Sequence, residues 1–107
     1  MMPGLLLFLT LVAAPTEMTM SATAFAQPGH TASGIQAQRG IVAADTRILP
    51  LGTVIRVRGA GRYSGTYVVA DTGRTITGRQ IDLYVRTPTE ARRFGRQRVR
   101  VQILRRP

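Results

Sequence analysis

The chain has 107 residues, with 15 basic side chains against 5 acidic ones and a formal net charge of +10. This length holds one domain at most, and the absence of cysteine excludes a disulfide framework, a zinc-cysteine site, an iron–sulfur cluster and thiol catalysis. Every basic residue is arginine, which is either a base-composition effect or a surface for a polyanion such as an acidic envelope polymer, an anionic membrane or nucleic acid.

Leu5 to Ala14 (LLLFLTLVAA) is the first element. Ten residues fall short of the roughly 18 that cross a bilayer, so no transmembrane span is expected, but they suit the apolar centre of a secretory leader. Residues 1–17 therefore read as a signal-like leader, although Met1 to Gly4 lacks the usual basic residue. A buried N-terminal strand and a misplaced start are the alternatives. Ala24-Phe25-Ala26 offers a small-x-small cleavage site, and Ala13 or Ala14 a second one that the following Pro15 disfavours.

Residues 18–107 read as one all-β domain. Met18 to Phe25 alternates loosely as a strand, and Gln27 to Gly34 has loop chemistry around Pro28 and Gly29. Ile41 to Ala44 is a short buried strand ending at Asp45. Thr53 to Arg58 places Ile55 and Val57 on one face, and Tyr63 to Ala70 runs to Asp71. Gln80 to Val85 turns Ile81, Leu83 and Val85 inward and Asp82 and Tyr84 outward. Arg98 to Leu104 turns Val99, Val101 and Ile103 inward. Between the last two strands, Thr87-Pro88-Thr89-Glu90 is a capping box that starts a short helix ended by Gly95. Six short strands with glycine turns and one short helix favour a closed barrel or a sandwich. A core this thin is compatible with a homodimer.

With Glu17 in the leader and Glu90 in the capping box, three carboxylates remain: Asp45, Asp71 and Asp82. Each ends or interrupts an apolar strand, where an ionised group is costly unless paired or hydrogen-bonded. Singly, each could cap its own turn; as a set in a basic protein they mark a candidate site.

The motifs Thr31-Ala32-Ser33-Gly34, Gly40-Ile41-Val42-Ala43-Ala44-Asp45, Leu51-Gly52-Thr53, Val69-Ala70-Asp71-Thr72-Gly73 and Ile81-Asp82-Leu83, with Glu90 to Gly95, resemble in order and spacing the 3D domain, named for its three aspartates. The resemblance implies a six-stranded double-psi β-barrel with one short helix, related to the catalytic core of membrane-bound lytic transglycosylase A and to stationary-phase muralytic proteins. It further implies an exported protein of the cell envelope, periplasmic or extracellular, that cleaves the MurNAc–GlcNAc bond of peptidoglycan to a 1,6-anhydro product. By the same resemblance Asp82 is the acid and base, Asp71 the anion that stabilises charge at C1, and Asp45 a hydrogen-bonding or positioning group. Thr31 and Ser33 would line the groove as hydroxyl donors, Thr72 and Gly73 would shape the turn presenting Asp71, and Tyr84 would pack or stack on a sugar. No metal and no cofactor are expected, and His30 reads as an exposed loop residue. The barrel opens in this family with a strand like Ser21 to Phe25, which argues against cleavage after Ala26. The chain departs from the family pattern at Arg74, which could narrow the groove or pair with Asp71, and at Thr77, where a lysine is usual.

Three rival readings stand beside this one. The barrel could bind peptidoglycan without cutting it. Asp71-Thr72-Gly73 also matches the triplet of retroviral-type aspartic proteases, although Arg74 replaces the small residue that follows it there. Arginines 92 to 106 could bind nucleic acid, but their alternation reads more simply as a strand with a solvated face, so no nucleic-acid partner is expected.

Overall fold

A computed structural model describes Gly4 and residues 17–107 of the chain. The expected leader lies outside the described residues apart from Gly4 and Glu17. Six strands form: β1 (Glu17–Phe25), β2 (Ile41–Ala44), β3 (Val54–Arg58), β4 (Gly65–Asp71), β5 (Gln80–Tyr84) and β6 (Gln97–Arg105), with one helix, α1 (Pro88–Phe94), between the last two. They close into a barrel in the order β1-β5-β2-β4-β3-β6. Pairs β1–β5 and β2–β4 are parallel and the other four are antiparallel. The expected all-β, six-stranded barrel with one short helix is the observed architecture.

Alternation along each strand builds the interior. Val42, Ile55, Val57, Val69, Ile81, Leu83 and Val101 are fully buried and pack as one cluster. Each such side chain contributes roughly 1.5–3 kcal/mol on leaving water. Short aliphatics suit a small barrel, whose interior is just wide enough to be filled by side chains. Ile103, expected inward, stands opposite the fully buried Ile55 and packs against the core while remaining partly exposed; the register shift beyond it leaves Leu104 as the extra residue.

Most strand ends fall within a residue of the sequence reading, Glu17 of the expected leader joining β1, while the starts of β4 and β3 differ for a visible reason. Tyr63 and Ser64, expected to begin a strand, belong instead to a 3-10 turn over Gly61–Tyr63 and its cap. The Tyr63 ring packs edge-on against Phe94 at 5.3 Å, and its hydroxyl donates to Glu90 Oε1 at 2.7 Å, which draws the residue away from the ladder. Thr53 lies just outside β3; its amide bonds the Pro50 carbonyl at 3.0 Å, closing the turn that precedes the strand.

At the N-terminus, β1 pairs with β5 on one side and with β6 on the other. Cleavage after Ala26 would remove this strand and open the barrel.

Candidate functional site: a carboxylate row on the outer barrel face

Asp82 sits at the centre of β5 between Ile81 and Leu83, both fully buried. Period-two geometry therefore turns its side chain out of the barrel. Register then fixes its neighbours. Asp82 is paired with Thr23 of β1 and with Ala43 of β2, and Ala43 is paired on its other side with Asp71 of β4. One row thus reads Thr23, Asp82, Ala43, Asp71 across four strands. Two strand spacings put the Asp71 and Asp82 backbones about 9–10 Å apart. The residue between them, Ala43, carries only a methyl group and is itself buried.

Asp71 joins this row through an irregularity. The pairing of β2 with β4 shifts between Val42 and Ala43, so Val42 faces Val69 while Ala43 faces Asp71, leaving Ala70 as the extra residue. Bulges of this kind re-aim a side chain. Asp71 Oδ1 accepts the amides of Ala32 and Thr72, each at 2.9 Å.

The environment of Asp82 favours its neutral form. Burial pushes its carboxyl above the ordinary 3.8, the charge of Asp71 adds to this, and the Thr23 hydroxyl, donating to Oδ1 at 3.0 Å, opposes it. A half-buried carboxyl that keeps its proton above the ordinary carboxylate range is suited to general acid work.

Asp45 behaves differently. It is buried, and both oxygens are engaged. Oδ1 accepts Arg47 N and Nε at 3.0 Å each, while Oδ2 accepts Arg47 Nη2 and the Gly78 amide at 2.8 Å each. The guanidinium and the two amides hold its carboxyl well below the ordinary range. Asp45 thus ties the segment after β2 to the loop that leads into β5. Its oxygens are spent on these contacts, so it shares the neighbourhood of the row without presenting a free carboxylate to it.

The remaining sequence-predicted residues surround the row. Thr31 is buried; its hydroxyl donates to the Ile35 carbonyl at 2.7 Å and lies 3.0 Å from Ser33 Oγ. The Ser33 amide bonds the Ala70 carbonyl at 3.0 Å. Both hydroxyls brace a loop docked on the end of β4, next to Asp71. Thr72 is exposed and gives its amide to Asp71, and Gly73 opens a turn in which the Ile76 amide bonds its carbonyl at 3.0 Å. Tyr84 lies on the Asp82 face of β5 and meets Phe25 edge-on at 5.7 Å. Arg74 is exposed and makes no ion pair with Asp71, whose Oδ1 is held by backbone amides instead. His30 is exposed, and its backbone bridges to Gln36. Among the described residues, no three His, Asp or Glu side chains gather into a metal-ligating cluster.

Sequence reasoning missed Thr23. Its outward position in β1 is readable from alternation, but its bond to a residue 59 positions later depends on a parallel pairing that no local pattern encodes.

The comparisons with known proteins agree with this geometry. Residues 40–105 match the family model described as the 3D domain. YabE of Bacillus subtilis (strain 168), named for cell wall shaping, is 34% identical over 96 residues, which covers 81% of this chain and 23% of that protein. The cell wall-binding protein YocH of the same organism is 33% identical over 100 residues, covering 85% of this chain and 33% of that protein. The chain thus spans only 23% and 33% of the length of these two relatives. Among solved structures, the lytic transglycosylase MltA of Escherichia coli superposes with a TM-score of 0.60 at 24% identity, over 76% of this chain and 28% of that one. The Streptomyces papain inhibitor gives 0.66 at 20% identity, over 84% of this chain and 96% of that one. An expansin of Clavibacter michiganensis gives 0.64 at 19%, over 86% and 52% respectively. At these identities the likeness concerns the barrel fold alone. With its mixed six-stranded barrel, its aspartates after β2, at the end of β4 and within β5, and a family model matching most of the folded region, this chain belongs to the 3D domain family of double-psi β-barrels.

Proposed function

We propose that the protein acts on the glycan strands of peptidoglycan in the cell envelope, as a lytic transglycosylase that cleaves the MurNAc–GlcNAc bond. The observation that carries this reading is Asp82: an outward-facing, partly buried carboxyl set in one row with a second carboxylate, where burial favours the protonated form, on a fold shared with a glycan-cleaving enzyme.

The chemistry asks little more of the site. Asp82 donates its proton to the bridging oxygen as the bond to C1 breaks. Positive charge develops at C1 and the ring oxygen, and the negative charge of Asp71 stabilises it. Asp82, now ionised, takes the proton from the muramyl C6 hydroxyl as that oxygen attacks C1. The product is a 1,6-anhydro sugar, no water is consumed, and one carboxyl serves as acid and then as base. Thr23 assists the second state, since its hydroxyl donates to the Asp82 carboxylate. Asp45 positions the loop before β5 and takes no part in proton transfer.

The test is digestion of purified sacculi followed by mass analysis of the soluble fragments. The expected products are 1,6-anhydromuropeptides, absent with Asp82→Asn while the variant stays folded by circular dichroism. Thr23→Val removes the bond that favours the ionised form, so the alkaline limb of the pH–rate profile moves upward. Fragments released equally by Asp82→Asn would reject the assignment.

A second reading has its own support. Asp71 Oδ1 is already held by two backbone amides, and one relative is named for cell wall binding. Retention of the protein on sacculi with no fragment released selects a binding barrel over an enzyme.

A further inference from the structure

Apart from the carboxylate row, the barrel carries a concavity. A cavity of about 280 Å³ opens between the segment entering β2, the turn between β3 and β4, the end of β5 and the start of α1. Arg39, Arg62, Tyr63, Thr66, Tyr84 and Glu90 are among the residues that line it. Tyr84 links it to the row, being two residues beyond Asp82 on the same strand face, or about 7 Å along the strand. A site of this size lies at the small end for ligand pockets and accepts a substituent rather than a chain.

The charges in this cavity do not balance. Glu90 is saturated: Oε1 accepts Tyr63 Oη at 2.7 Å and Arg62 Nη2 at 3.2 Å, and Oε2 accepts the Arg86 amide at 3.0 Å. Arg62 is further fixed by its bond to Tyr63 Oη at 2.8 Å and by stacking 4.9 Å from that ring centroid. Arg39 is exposed; its charge acts on Glu90 across the cavity, but it makes no ion pair within contact distance and no side-chain hydrogen bond among the described residues. Two guanidinium groups against one carboxylate leave one positive charge, and the unpaired fork of Arg39 is shaped for a planar, singly charged oxyanion. The aromatic walls of Tyr63 and Tyr84 add apolar surface for the group that carries it.

We propose that this cavity is a carboxylate-recognising subsite in which Arg39 binds a carboxylate borne by a substituent of the glycan seated on the row. The inference rests on the glycan-directed reading above and deepens it, because it assigns to Arg39 the recognition of the carboxylate that distinguishes a muramyl sugar from N-acetylglucosamine. Two carboxylates share this chemistry: that of the lactyl ether and those of the stem peptide. Either would present one planar anion to Arg39 while the sugar backbone lies along Asp82 and Tyr84.

The test is titration of the full chain in an Asp82→Asn background, which prevents turnover, followed by backbone amide NMR. The probes are chitotetraose, a peptide-free GlcNAc–MurNAc tetrasaccharide, the same tetrasaccharide bearing stem peptides, and N-acetylmuramic acid alone. The expected result is a preference of roughly three- to tenfold for a carboxylate-bearing glycan over chitotetraose, with shifts at Gly40, Thr66 and Tyr84. Arg39→Gln abolishes the preference and Arg39→Lys, which keeps charge but loses the fork, retains part of it. A preference already present in the peptide-free sugar identifies the lactyl group; one that appears only with the stem identifies the peptide. Equal affinities for all glycans, or a preference untouched by Arg39→Gln, overturns the subsite and leaves glycan cleavage standing. Shifts at these residues with N-acetylmuramic acid, in a protein that releases no fragments from sacculi, keep the subsite and remove the cleavage. No binding by any probe overturns the subsite.

Discussion

Asp45 and Asp82 are pulled in opposite directions by their surroundings, and the sign of each pull has a measurable consequence. The Asp45 carboxyl is held below its ordinary 3.8 by Arg47 and the Gly78 amide. Folding therefore favours its ionised form, and the stability this supplies is complete above the ordinary value and lost as pH falls toward the depressed one. Asp82 is the reverse case. Its carboxyl is raised, so folding favours the protonated form, and stability declines as pH climbs from the ordinary value through the raised one. Thermal unfolding followed from about pH 3 to pH 7 separates the two. Asp45→Asn lowers Tm by several degrees at neutral pH, with the gap narrowing in acid. Asp82→Asn is as stable as the parent at neutral pH or more so. An Asp45→Asn protein that melts with the parent at pH 7 would show that this carboxylate braces nothing. Sequence alone singled out both residues as carboxylates on apolar strands. Their separate roles came only from the family resemblance and not from the local pattern, because the difference lies in which donors reach them: Arg47 is two residues away, but Gly78 is 33 away.

At the scale of the element, α1 was legible almost to the residue. Thr87 is the N-cap and its hydroxyl accepts the Glu90 amide at 3.1 Å, Pro88 opens the first turn, and Gly95 ends the helix with a φ of 63°. Half of the expected capping box is different, however. Glu90 reaches past the cap to the Arg86 amide, because Tyr63 and Arg62 hold its other oxygen on the barrel side. The helix is seven residues long, too short to persist without its cap and its packing. Thr87→Ala should cost about 1 kcal/mol, a fall in Tm of roughly 4–8 °C for a domain of this size. Calorimetry showing no change would mean that Phe94 and the barrel contacts alone hold the helix. Strands β3 and β6 were equally readable, since Ile55, Val57, Val99 and Val101 alternate with arginines. Their register was not: it sets Arg58 directly opposite Arg100, a like-charge pair that period-two patterning does not forbid.

The whole molecule depends on pairings between distant segments. β1 closes the barrel by joining β5 in parallel and β6 in antiparallel register, and it carries Thr23 to Asp82. A chain beginning at Gln27 would leave β5 and β6 each with an unpaired edge and expose the face that Met20 and Ala22 cover. Such a chain is expected to lose cooperative unfolding and native amide dispersion in NMR spectra, or to recover them only by associating with other copies. A monomeric, cooperatively folding fragment would show that the remaining five strands suffice. The order of strands around the barrel brings into one row residues 23, 43, 71 and 82, which no window of sequence contains. Local chemistry alone determined the elements of this protein: alternation selects the buried face of each strand, glycine and proline mark the turns, and a hydroxyl, a proline and a carboxylate start the helix. The tertiary structure decided which strands meet, and hence that Asp71 and Asp82 flank one alanine, that Asp45 is consumed by Arg47 and Gly78, and that Arg39 shares a cavity with a Glu90 carboxylate already bonded to Arg62 and Tyr63. The physical reason is that side-chain periodicity acts over neighbouring residues, whereas register, burial and the electrostatics that follow are set by hydrogen bonds between segments far apart in the chain.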